Sequence, residues 1–204
     1  MKARQIVLRI LGAWLLVVMA IAASAERSES PANQAPAKKI TIELDPAQTE
    51  IHWTLGAALH TVHGTFRLKG GTIVFDPQSG VAQGEIVVCL ETGDSGSRAR
   101  DSRMQEEVLE SAMYPQAVFR PEKVIGAIQP GAIQNVTVEG TFRIHGVDHP
   151  LKLNLQVQIN GQTAIAATRF AVPYVQWGMR DPSTFVLRVD KEVNVELTAK
   201  GNVE

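Results

Sequence analysis

Histidine is the residue in this chain best suited to chemistry: His52, His60 and His63 lie close together in the sequence, and His145 and His149 flank one turn signal. Two or three of them converging with a carboxylate would make a metal site or an acid–base site. No compact Cys/His/carboxylate spacing accompanies them, however, and His52 alternates with Trp53 so that it falls on the wet side of a strand. Glu106, Glu107 and Glu110 would suit paired-carboxylate catalysis, but they share the polar side of one helical wheel and read as a solvated face. Cys89 is the single cysteine; it sits inside the apolar run Ile86-Val87-Val88-Cys89-Leu90, with no neighbouring His or cation to activate it, and reads as a packed thiol. No G-x-S-x-G, H-E-x-x-H, phosphate loop or dinucleotide fingerprint occurs. The expectation is therefore no catalytic residue, no metal ligand and no cofactor. What remains is a polar cluster, Asp94, Arg98, Arg100 and Asp101, with Arg180-Asp181-Pro182 following Trp177. It serves either to cap and pair loops or as a polar rim for a ligand head group, with Arg98, Asp101 and Arg180 as the rim candidates.

The elements that must position these residues are mostly strands. Leu151, Leu153, Leu155, Val157 and Ile159 are apolar while the residues between them are polar, which is a strand with one wet face. The same alternation marks Ile51/Trp53/Leu55, Val62/Phe66/Leu68, Val136/Val138/Phe142/Ile144, Thr168/Phe170/Val172, Phe185/Leu187/Val189 and Val193/Val195/Leu197. Turn chemistry separates them at Lys69-Gly70-Gly71, 76–80, 145–148, Asn160-Gly161 and Asp190-Lys191, with Asn160-Gly161 the strongest two-residue hairpin signal. About eight strands joined by tight turns predict an antiparallel meander, and closing it into a barrel removes its aggregation-prone edges. One segment breaks the rhythm. Met104, Val108, Leu109, Ala112 and Met113 share half of a helical wheel, which predicts an amphipathic helix over about 102–113, opened by a Ser102/Gln105 capping box and ended by Tyr114-Pro115.

The amino end is organised for export. Lys2, Arg4 and Arg9 precede an apolar run over 10–22 and the small-residue triplet Ala23-Ser24-Ala25, the order of a secretory signal cleaved after Ala25. The apolar run is shorter than the roughly 20 residues a spanning helix needs. Residues 26–39 are polar and Pro/Ala-rich and read as a flexible linker, leaving a folded domain over 40–201. Removing Lys2, Arg4 and Arg9 from the 20 basic residues leaves 17 against 21 acidic ones, a net charge of −4, so no nucleic acid partner is expected.

The stretch SGSRARDSRMQEEVLESAMYPQAVF (95–119), with TVHGTF (61–66), VEGTFRIHGVDHPL (138–151) and FAVPYVQWGMRDPSTFVLRVDKEV (170–193), resembles the YceI-like family of exported lipocalin-like proteins. The resemblance spans nearly the whole folded domain. It implies an all-β, eight-stranded antiparallel lipocalin-like barrel that binds a long isoprenoid or related lipid without catalysis, in the periplasm or secreted. Links of some relatives to membrane cytochromes and quinone chemistry imply an isoprenoid quinone as a ligand class and a membrane redox protein as a partner.

A small barrel either fills its interior with side chains or holds one ligand there, and alternation alone leaves both open. The residues expected to point inward, and so to contact a lipid, are Trp53, Phe66, Val88, Phe119, Phe142, Phe170 and Val172 from the strands, with Met104, Val108 and Met113 from the helix. Three functions are compatible with this pattern: a carrier of an apolar lipid, a His-based or metal-assisted enzyme acting on a lipid-like substrate, and an interaction module for a membrane redox partner. A homodimer would shield a barrel mouth from water.

Overall fold

From the second strand onward the alternating segments form strands that each pair with the next, until the sheet closes on itself. The computed structural model describes residues 39–204 apart from Leu59 and Val186; the export signal and nearly all of the linker lie outside the described residues. The strands are β1 (Ile40–Leu44), β2 (Glu50–Leu55), β3 (Val62–Phe75), β4 (Ala82–Asp94), β5 (Gln116–Ile125), β6 (Gln134–Ile144), β7 (Val147–Asn160), β8 (Thr163–Val172) and β9 (Val193–Val203). β1 and β2 both pair with β3 on one side and β9 on the other, so they are two halves of one barrel strand interrupted at residues 45–49. Nine segments thus occupy eight barrel positions, all antiparallel, and no edge is left open.

Turn residues set the registers. Asn160 pairs with Thr163, so the β7–β8 loop is Gly161-Gln162, with Gly161 at φ +58° in the first central position that a II′ turn reserves for glycine. The hairpin is where the Asn-Gly signal put it, one residue further on. His145 and Gly146, at φ +52° and +76°, make the I′-like turn between β6 and β7. Register shifts in β3–β4 near Gly70 and in β5–β6 after Pro121 mark bulges, which add the bend that closure requires.

Two expectations are corrected. The alternation Phe185/Leu187/Val189 is not a strand. β9 already pairs with β8 along its whole length and with β1 and β2 on its other side, so the segment finds a partner only at its end, where Val189 bridges Ala57 just beyond β2. The segment instead folds into a tight loop, in which the Thr184 amide donates to the Leu187 carbonyl at 2.7 Å, and Phe185 is almost wholly exposed. The helix is real but starts earlier: α1 covers Arg98–Arg103 and continues as a wider π-type turn over Met104–Val108. Ser97, not Ser102, precedes it, and Glu110 at φ +44° ends it before Ala112 and Met113 can join.

Candidate binding cavity

The inward positions leave the barrel hollow. A continuous cavity of about 760 Å³ runs through it, walled by residues of every strand and by α1. At ~30 Å³ per water-sized group, it has room for on the order of 25 carbons. No large side chain is completely sealed off among the described residues, since those pointing inward face the void. The void exists because Ala82, Ala117, Ala164, Ala166 and Ala199 take inward positions where Leu or Phe would fill the middle of a small barrel.

Nine of the ten residues expected inward line this cavity. Trp53 on β2 and Phe66 on β3 lie with ring centres 6.2 Å apart, Val88 on β4 lies opposite Ala117 of β5 while Phe119 lies opposite Ile86, and Val172 closes β8. Phe142 on β6 meets Phe170 on β8 edge-on at 6.4 Å and Trp177 at 5.9 Å. Met104 and Val108 reach in from the π-type turn that continues α1. Met113 does not: it lies in the turn after Glu110, 66% exposed, because the helix on which its inward direction depended has already ended.

The polar cluster divides between structure and wall. The Asp101 carboxylate accepts from the Ser95 amide at 3.0 Å and from its hydroxyl, fixing the turn into α1. Arg98 is exposed and does not line the cavity. Arg180 reaches Glu107 of the π-type turn at 3.2 Å, and Arg103 reaches the same carboxylate oxygen at 3.3 Å, so Glu107 ties the loop that carries Arg180 to the end of α1. Arg100 and Arg103, rather than Arg98, border the cavity. Helical spacing carried the signal for Arg100: it is one turn before Met104 and two before Val108, on the same stripe. His60 also borders this end. Tyr174 and Met179, both buried, come from the loop after β8; Tyr174 donates to the Asp190 carbonyl at 2.8 Å, and burial, aided by the Asp190 charge, pushes its phenol above the usual value.

The histidines are dispersed. His52 is exposed near Glu50 on the outer face, His63 shares a hydrogen bond with Thr54 at 3.0 Å, His145 meets Glu110 at 2.6 Å beneath Tyr114, and His149 stacks on Trp177 at 4.1 Å. Among the described residues no three His, Cys, Asp or Glu side chains converge as metal ligands. Cys89 lies half-buried between the inward Val88 and Leu90.

Fold and cavity together define a lipocalin-like barrel with an apolar interior. The profile of the YceI-like domain matches residues 43–200, and the chain belongs to that family. Among solved structures, BcnA of Burkholderia cenocepacia is similar at a TM-score of 0.63 and 17% identity, over 77% of this chain and 98% of that one. A polyisoprenoid binding domain from Saccharophagus degradans, implicated in plant cell wall breakdown, is similar at 0.60 and 16%, over 80% and 98%. The YceI protein of Campylobacter jejuni is similar at 0.52 and 15%, over 65% and 79%. At these identities the likeness is one of fold. No curated protein matches the sequence.

Proposed function

We propose that this protein is a non-enzymatic carrier that holds a long isoprenoid-type lipid, a polyprenyl chain or an isoprenoid quinone, inside its barrel for storage, transport or stress protection. The observation that carries the reading is the continuous, alanine-widened apolar cavity of about 760 Å³. Each buried methylene is worth about 0.8 kcal/mol, so ten ordered carbons offer roughly 8 kcal/mol before ordering costs, and micromolar binding needs no charged anchor. Methyl branches demand width and chain length demands a tunnel, and the cavity provides both. The similarity to a polyisoprenoid binding domain supports the same ligand class. The export-type amino end supports a periplasmic or secreted carrier, in a compartment where apolar lipids must cross water; a membrane redox protein is then a fitting partner for a quinone-loaded form.

Native mass spectrometry of the protein purified without detergent tests the proposal. The expected result is a lipid adduct that organic extraction removes and added polyprenyl lipid restores. Repeated absence of any adduct, with no uptake of added lipid, overturns it.

A further inference from the structure

The cavity opens to solvent at the end where α1 lies. His60, Ala99 and Arg103 line the cavity yet are exposed, and all three belong to this end. At the other end, walled by the buried Phe75, Ala82 and Val136, Ile165 alone does so. Three segments frame the mouth. Residues 56–61 supply Ala57 and His60 to its wall, residues 95–100 supply Ser97, Ala99 and Arg100, and residues 182–189 supply Pro182, Leu187 and Val189. The first and third are joined: the Ala58 amide donates to the Arg188 carbonyl at 2.9 Å, and the Asp190 amide to the Gly56 carbonyl at 2.8 Å.

The charge of this rim is one-sided. The three segments carry Arg98, Arg100, Arg188 and His60 and no acidic residue, in a chain with 21 acidic residues against 20 basic ones. The acids that border them are turned back into the loops. Asp94 accepts from the Gly96 amide at 2.8 Å, Asp101 from the Ser95 amide at 3.0 Å and Asp181 from the Ser183 amide at 2.9 Å, while Asp190 lies against Gly56. Arg98 and Arg188 are exposed, and among the described residues neither pairs with a carboxylate. In the third segment the Thr184 hydroxyl accepts from the Leu187 amide at 3.0 Å and closes a turn, so that Leu187 faces the cavity while Phe185 stands 99% exposed at the tip.

We propose that this mouth docks on an anionic lipid bilayer, with Phe185 entering the interface and Arg98 and Arg188 meeting lipid phosphates. Whatever covers the rim must let an apolar chain pass through it. A bilayer is both the source of such chains and a surface that takes up an aromatic tip set among cationic residues. Contact there spares the cargo a passage through water. A chain of net charge −1 is not drawn to an anionic surface as a whole, so the rim sets the orientation. The inference rests on the lipid-carrier reading for what passes through the mouth, and it adds the surface from which that cargo comes.

The test uses the full chain, stripped of lipid, with vesicles of phosphatidylcholine alone or with phosphatidylglycerol added. Sedimentation with the vesicles is expected to show about tenfold tighter binding to the anionic ones at low salt, lost at about 0.5 M salt. Phe185→Ser and the pair Arg98→Gln/Arg188→Gln are each expected to weaken that binding about tenfold. None of these side chains lines the cavity, so binding of a fluorescent polyene added from solution should not change. A local readout stands even if those variants fold poorly: in Phe185→Trp, brominated phosphatidylglycerol should quench the emission gained over the wild type. Attachment through another part of the chain leaves that emission unquenched. Unquenched emission, binding that ignores vesicle charge, or folded variants that bind vesicles as the wild type does overturn the docking and leave the carrier standing. Quenching without any uptake of polyene from the vesicles overturns the carrier while the docking stands.

Discussion

If the barrel is hollow because alanines face inward, filling those positions should stabilise the protein while weakening its hold on a long chain. Ala166 on β8 and Ala117 on β5 sit on different walls of the cavity. Each change to Leu adds three carbons, so Ala117→Leu/Ala166→Leu removes about 180 Å³ at ~30 Å³ per carbon-sized group, roughly a quarter of the space. In the lipid-free protein the six added carbons gain contacts instead of displacing neighbours, and at about 0.8 kcal/mol each the gain approaches 5 kcal/mol, less whatever side-chain ordering costs. In a packed interior the same additions would cost about 1–3 kcal/mol each through forced rotamers. The sign of the stability change therefore separates a hollow barrel from a filled one. For the ligand the arithmetic reverses: about six carbons of a long chain lose their place, while a chain short enough to fit the remaining three quarters keeps its affinity. Thermal melts of lipid-free protein and binding of an isoprenoid series of increasing length measure both. A lower melting temperature with unchanged long-chain binding would refute the reasoning.

Phe142→Arg places a charge at the meeting point of Phe170 and Trp177, inside the apolar void, and should abolish lipid retention by native mass spectrometry while circular dichroism reports whether the barrel still forms; retained lipid in a folded variant would contradict the inward register of β6. Glu107→Gln removes the carboxylate shared by Arg103 and Arg180, which should cost less than about 1 kcal/mol of stability but speed ligand release severalfold in stopped-flow measurements if the loop over 173–192 gates the cavity. Tyr174→Phe loses the bond to the Asp190 carbonyl and should cost about 1 kcal/mol at neutral pH. Because the folded phenol titrates above its unfolded value of 10.0, its contribution is complete below that pH and is lost as the pH rises through the folded value. The wild type should accordingly lose stability faster than Tyr174→Phe in alkaline melts, and parallel pH profiles would count against it.

Local order was legible because it is written in neighbours. Period-two runs located β2, β3, β6, β7, β8 and β9, a glycine after Asn160 located a hairpin, and the apolar stripe at Met104 and Val108 located a helix and its inward side. The misreadings occurred where a local pattern needed a tertiary partner. Phe185/Leu187/Val189 alternates as a strand does, yet a strand needs a partner along its length, and beside the closed barrel only Val189 finds one, in Ala57. Met113 lies on the apolar side of an ideal wheel, yet Glu110 leaves the helical conformation first.

By itself the sequence determined the antiparallel all-β class, the faces of most strands and the family, since each depends on spacing along the chain or on strings of residues. Only the tertiary structure decided that the interior is a cavity and that Arg100 and Arg103 rather than Arg98 border it. The physical reason is that a void is a sum over eight strands: five inward alanines are unremarkable one at a time, and they open a tunnel only when closure brings them around one axis.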